Sequence, residues 1–114
     1  MDLHLQLREP LSQVVFVHDY LQLVFQEHAL TVYNLAMYMS KDLSIKQGEP
    51  GFCDAVVALI EQTAQVHANP GEPLVLRFLC GASITVPCSG PDTRGPEAWQ
   101  FGELSGPYIV EQNV

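Results

Sequence analysis

Phe52-Cys-Asp-Ala-Val-Val-Ala-Leu-Ile-Glu-Gln-Thr-Ala-Gln-Val-His-Ala68 is the stretch on which the reading of this chain turns. Phe52, Val56, Leu59 and Ile60, continued by Thr63 and His67, recur at helical spacing. Asp54 falls in the first turn and His67 in the last, both with the sign that suits the helix dipole. Gln47-Gly-Glu-Pro-Gly51 reads as a turn ahead of the segment, and Asn69-Pro-Gly71 as its stop. The spacing predicts one amphipathic helix over 52–68, with Val56, Leu59 and Ile60 packed onto a sheet.

Two similar segments flank that helix. Leu21-Gln-Leu-Val-Phe25 leads through a short break to Leu30-Thr-Val32. Leu74-Val-Leu-Arg-Phe78 leads through a break one residue longer to Ile84-Thr-Val86. Strand side chains alternate, so each segment reads as a hairpin with one apolar face. Pairing Phe25 with Leu30 sets Leu23 opposite Val32, and pairing Phe78 with Ile84 sets Leu76 opposite Val86. The other faces carry Gln22, Thr31 and Tyr33 in the first hairpin, and Arg77, Ser83 and Thr85 in the second. Such one-sidedness suits an antiparallel sheet that is packed on one face and wet on the other.

Further out, Leu3, Leu5 and Leu7 alternate with polar residues as an opening strand, ended near Pro10. A tight turn at His18-Asp19 would put Val14 and Phe16 on the same face as Leu21 and Leu23. The stretch 35–45 fits neither period. Residues 89–96 are a Gly- and Pro-rich loop, and Pro96-Glu-Ala-Trp99 reads as a short helical turn. Tyr108-Ile-Val-Glu111 closes the chain as an edge strand. The expected architecture is a single α+β domain over 1–114. It would hold about six strands, as an antiparallel sheet of hairpins against one main helix.

At 114 residues the chain is long enough to bury a core without disulfides or metal. Five Lys and Arg stand against 13 Asp and Glu, a net charge of −8. The scattered cations form no basic stripe, so nucleic acid and anionic membrane surfaces are not expected partners. A basic protein partner would be attracted. Charged residues are only 16% of the chain, which leaves apolar surface for a homodimer or partner to cover. An odd set of cysteines (Cys53, Cys80 and Cys88), with no basic start or apolar core in MDLHLQLREP, reads as reduced thiols in a cytoplasmic protein.

No nucleophile, phosphate-cradle or zinc spacing is present, so no catalytic residue, metal ligand or cofactor is expected. Arg94, Glu97, Trp99 and Phe101, around the Gly-Pro loop, are the candidate partner-binding residues, because Trp and Arg are favoured interface anchors. Cys53, His67 and His18 are the candidates to line a pocket between helix and sheet. The two LxLxF hairpins and Gly95-Pro-Glu-Ala-Trp99 loosely resemble small acidic bacterial proteins of unknown function, including immunity proteins that neutralise polymorphic toxins. That resemblance implies a non-enzymatic module that binds a basic partner. A small-ligand-binding domain or small enzyme using that pocket is the first alternative. A homo-oligomeric subunit joined through the edge strand at 108–110 is the second.

Overall fold

The described residues form eleven strands and one short helix. In order they are β1 (Leu3–Gln6), β2 (Gln13–Phe16), β3 (Leu21–Phe25), β4 (His28–Val32), β5 (Met37–Met39), β6 (Ser44–Lys46), α1 (Phe52–Val57), β7 (Ala64–Ala68), β8 (Leu74–Phe78), β9 (Ser83–Val86), β10 (Glu97–Glu103) and β11 (Tyr108–Gln112). They come from a computed structural model, which describes residues 2–114. Strand accounts for 44% of the chain and helix for 5%. The α+β expectation, with its main helix, is therefore replaced by a nearly all-β architecture.

The correction is decided within 52–68. Only Phe52–Val57 is helical. The chain then turns, with Glu61 at φ 83, and enters β7. Within β7, Ala64, Val66 and Ala68 are buried while Gln65 and His67 are not. A period of two thus lay beneath the period of 3.6 that the same residues also satisfy. Strand wins because β7 finds a neighbour on each side. Val66 lies opposite Leu5 of β1 and Leu76 of β8, so both backbone edges are hydrogen-bonded and local helix tendency is overridden. Asn69-Pro-Gly71, read as a helix stop, is instead part of the link between β7 and β8.

The strands form two antiparallel sheets, one ordered β1-β7-β8-β9-β5-β6 and the other β11-β10-β4-β3-β2. Their inner faces share one apolar cluster. Leu21, Leu23, Phe25, Leu30, Val32, Trp99 and Phe101 come from the five-stranded sheet. Val66, Leu74, Leu76, Phe78, Ile84 and Val86 come from the six-stranded one. The Phe25 and Phe78 rings stack across the gap, with centroids 6.4 Å apart and planes at 26°. The second sheet therefore covers the hairpins, where the helix had been expected to do so. The helix α1 adds Phe52 and Val56 to the cluster.

Both hairpins pair two residues away from the expected register. Leu23 faces Leu30 and Leu21 faces Val32; Leu76 faces Ile84 and Leu74 faces Val86. Tighter turns, with Gln26 at φ 56 and Gly81 at φ 100, account for the shift. A shift of two preserves which face is apolar, whereas a shift of one would reverse it. The His18-Asp19 turn forms, and Val14 and Phe16 lie opposite Leu23 and Leu21. The stretch 35–45 supplies β5 and begins β6. Pro96-Glu-Ala-Trp99 is not a helical turn: β10 starts at Glu97.

Candidate partner-binding face

Alternation along the five-stranded sheet directs Gln22, Thr31, Gln100 and Val110 outward in one cross-strand row. Val15 extends this row on β2, opposite Gln22. Tyr108 of β11 lies opposite Gly102. The approach is close: a Cβ on Gly102 would collide with the Tyr108 Cβ, so only glycine fits there. Tyr20 and Tyr33, just outside β3 and β4, meet edge-on with ring centroids 6.2 Å apart. Gln22 Nε2 donates to Thr31 Oγ1 at 3.2 Å, which holds the polar centre of the face. Beside it the link between β10 and β11 rises, leaving a hollow of about 230 Å³ lined by Gln22, Thr31, Gln100, Leu104 and Tyr108 among others.

This face carries no Lys or Arg at its strand positions, and Glu97 and Glu103 stand at its rim. The Tyr33 phenol is pushed above the ordinary tyrosine value, first by burial and then by the charges of Glu97, Tyr20 and Tyr108. That electrostatic grouping places Glu97 and the three tyrosines in one neighbourhood. Tyrosine supplies broad, rigid contact area with a polar tip, which is why interfaces favour it.

Arg94, Glu97, Trp99 and Phe101 are split by this geometry. Trp99 and Phe101 are 1% and 3% exposed and form the inner side of β10, beneath the face. Trp99 Nε1 is buried without a hydrogen-bond partner. Glu97 stands at the rim. Arg94 lies in the 89–96 loop, with Nη2 donating to the His18 carbonyl at 3.3 Å. That loop is pinned by Asn34, which is 1% exposed. Asn34 Oδ1 accepts from the Arg94 backbone N–H at 2.8 Å, and Asn34 Nδ2 donates to the Pro87 carbonyl at 2.6 Å. Asn113 Nδ2 donates to the Gly95 carbonyl at 2.7 Å.

Cys53, His67 and His18 have separate surroundings. Cys53 is exposed on α1, and His67 points outward from β7 beside His4. His18 sits in the β2–β3 turn, its Nε2 lying 3.8 Å from Asp19 Oδ1 with both side chains in solvent. Cys53, His67 and His18 are therefore not brought together, and the second sheet packs where the helix was expected to cover the hairpins. An apolar hollow of about 300 Å³ does open elsewhere, along the seam between β1 and β11. Leu3, Leu5, His28, Phe101, Tyr108 and Ile109 line it, and the His28 ring lies on that of Phe101, with centroids 5.7 Å apart. All three cysteines are free, and burial pushes the Cys88 thiol up, with Glu111 adding to the effect.

Sequence reasoning passed over Tyr20 and Gln100, and named Tyr108 only within an edge strand for self-association. The first hairpin's alternation had already put Gln22, Thr31 and Tyr33 on one face, so the signal was present but read as ordinary wetted surface. Comparison with family models, with curated proteins and with solved structures finds no match to this chain.

Proposed function

We propose that the protein is a non-enzymatic binding module that receives a basic protein partner on the outer face of its five-stranded sheet. The observation that carries this reading is the composition of that face: tyrosines, amides and aliphatics, with no Lys or Arg at its strand positions, and with Glu97, Glu103 and the loop residue Arg94 at the rim. Solvated sheet faces ordinarily carry many charges, and a charge-poor, aromatic-rich patch is the usual composition of an interface centre.

Charge supports the sign of the partner. Of the chain's 13 carboxylates, only Glu97, Glu103 and Glu111 lie in strands; the others sit on turns, loops and α1. They would steer a basic protein towards the molecule and raise its association rate. The outer face of the six-stranded sheet offers no such attraction, since its strand positions carry no carboxylate and include Arg77 and Lys46, the latter paired with Asp92 at 3.1 Å.

The test is an affinity pull-down of the tagged chain from its native lysate, followed by titration of the purified partner. One basic protein retained in stoichiometric amount is expected, with affinity that falls steeply as salt rises. Recovery of the chain alone, at monomer mass, would overturn the reading. Recovery as a dimer that Gln100→Lys dissociates would assign the face to self-association instead.

A further inference from the structure

We propose that His4 and His67 form a two-nitrogen site for a divalent transition-metal ion of the copper, nickel and zinc group. The pair lies on the outer face of the six-stranded sheet, away from the tyrosine face, and is independent of the partner-binding reading. His4 and His67 are direct cross-strand partners of β1 and β7, and their Nδ1 atoms lie 3.0 Å apart.

The outer nitrogens decide what lies between the inner ones. His4 Nε2 is 3.1 Å from Asn69 Oδ1. The amide of Asn69 is oriented by Glu72, because its Nδ2 donates to Glu72 Oε2 at 3.1 Å. Asn69 therefore presents an acceptor, and His4 carries its proton on Nε2. His67 Nε2 lies 3.4 Å from Gln65 Oε1, a contact that its Nε2–H tautomer satisfies. In that tautomer neither Nδ1 carries a proton, and a cation set to one side of the line joining them takes both lone pairs.

The spacing suits a metal. Two nitrogens 3.0 Å apart, each about 2.05 Å from a shared ion, subtend about 94° at it. That is close to the right angle between neighbouring positions of tetragonal Cu2+ or Ni2+, with the other positions left to water. Imidazole suits all three metals, and an outer N–H bonded to a carbonyl oxygen is the usual second partner of a metal-binding histidine. Here the chain Nε2–Asn69–Glu72 fills that role for His4.

The experiment is calorimetric titration of the full chain, free of any histidine tag, with copper and zinc chlorides, beside nitrogen NMR of the histidine rings. One ion per chain is expected, copper binding more tightly than zinc, with the Nδ1 resonances of His4 and His67 shifting together under zinc and broadening together under copper. His67→Gln and His4→Gln should each weaken binding at least tenfold, Asn69→Ala about tenfold, and His18→Gln not at all. Absence of binding would mean that the two rings share only a proton, and would overturn the proposal. Binding unchanged in His67→Gln would also overturn it, by placing the ion on His4 alone or elsewhere. The ring resonances of the unaltered protein give a readout that does not depend on how the variants fold.

Discussion

The two outer faces of the sandwich rest on the same inner pattern and differ in what they show to solvent. The five-stranded sheet presents Tyr20, Tyr33, Tyr108, Gln22 and Gln100 with no Lys or Arg at its strand positions. The six-stranded sheet presents His4, His67, Arg77 and Lys46 with no strand carboxylate, Lys46 being paired with Asp92 from the 89–96 loop. Core packing dictates neither composition, because inward-facing residues set the stability of both sheets. The contrast is the ground on which one face is proposed to receive a protein and the other an ion.

Removing the shared support gives the largest effect. Phe25→Ala empties the stack against Phe78 and should cost about 3–5 kcal/mol in urea unfolding, with loss of both faces in one transition. Two separate transitions would break the picture of a single core. Next comes the rim of the tyrosine face. Asn34→Ala strips the hydrogen-bond partners of Pro87, Asn113 and Arg94 and should cost about 1–3 kcal/mol. Amide exchange should rise in 89–96 and stay unchanged around His4 and His67, which would sharpen the contrast.

The smallest effect is electrostatic. Tyr33 should ionise above the ordinary tyrosine value of about 10. Burial and the Glu97 charge favour its neutral phenol, so its contribution to stability is intact below that value. It is lost as pH rises through the folded one. Glu97→Gln removes one of the raising charges and should move the ultraviolet phenol titration of Tyr33 to lower pH. A titration that the substitution leaves in place would separate Glu97 from the tyrosine group.

Much of the fold was legible where side chains alternate between strongly apolar and polar. The hairpins at Leu21–Phe25 and Leu74–Phe78, and the edge strand after Pro107, follow from that alternation alone. The stretch 52–68 was not legible in the same way. Ala64, Val66 and Ala68 are too small and too sparse to outweigh the helical spacing of Val56, Leu59 and Ile60. Only the pairing of β7 with β1 and β8, more than fifty residues away on one side, reveals the strand. The same holds for the histidine pair, since nothing local links His4 to His67. Trp99 is the opposite case: its residue type suggested a contact, while the inward parity of β10 makes it core.

The most direct test of the central claim places one charge on each face and compares them. Gln100→Lys and Ser83→Lys alter outward positions of the two sheets, Gln100 in the middle of β10 and Ser83 at the start of β9. Each variant is folded, tagged and used to capture the basic partner from native lysate beside the unaltered chain. The account predicts that Ser83→Lys retains the same protein in the same amount while Gln100→Lys retains at least tenfold less. Equal capture by both variants, or loss with Ser83→Lys alone, would contradict it.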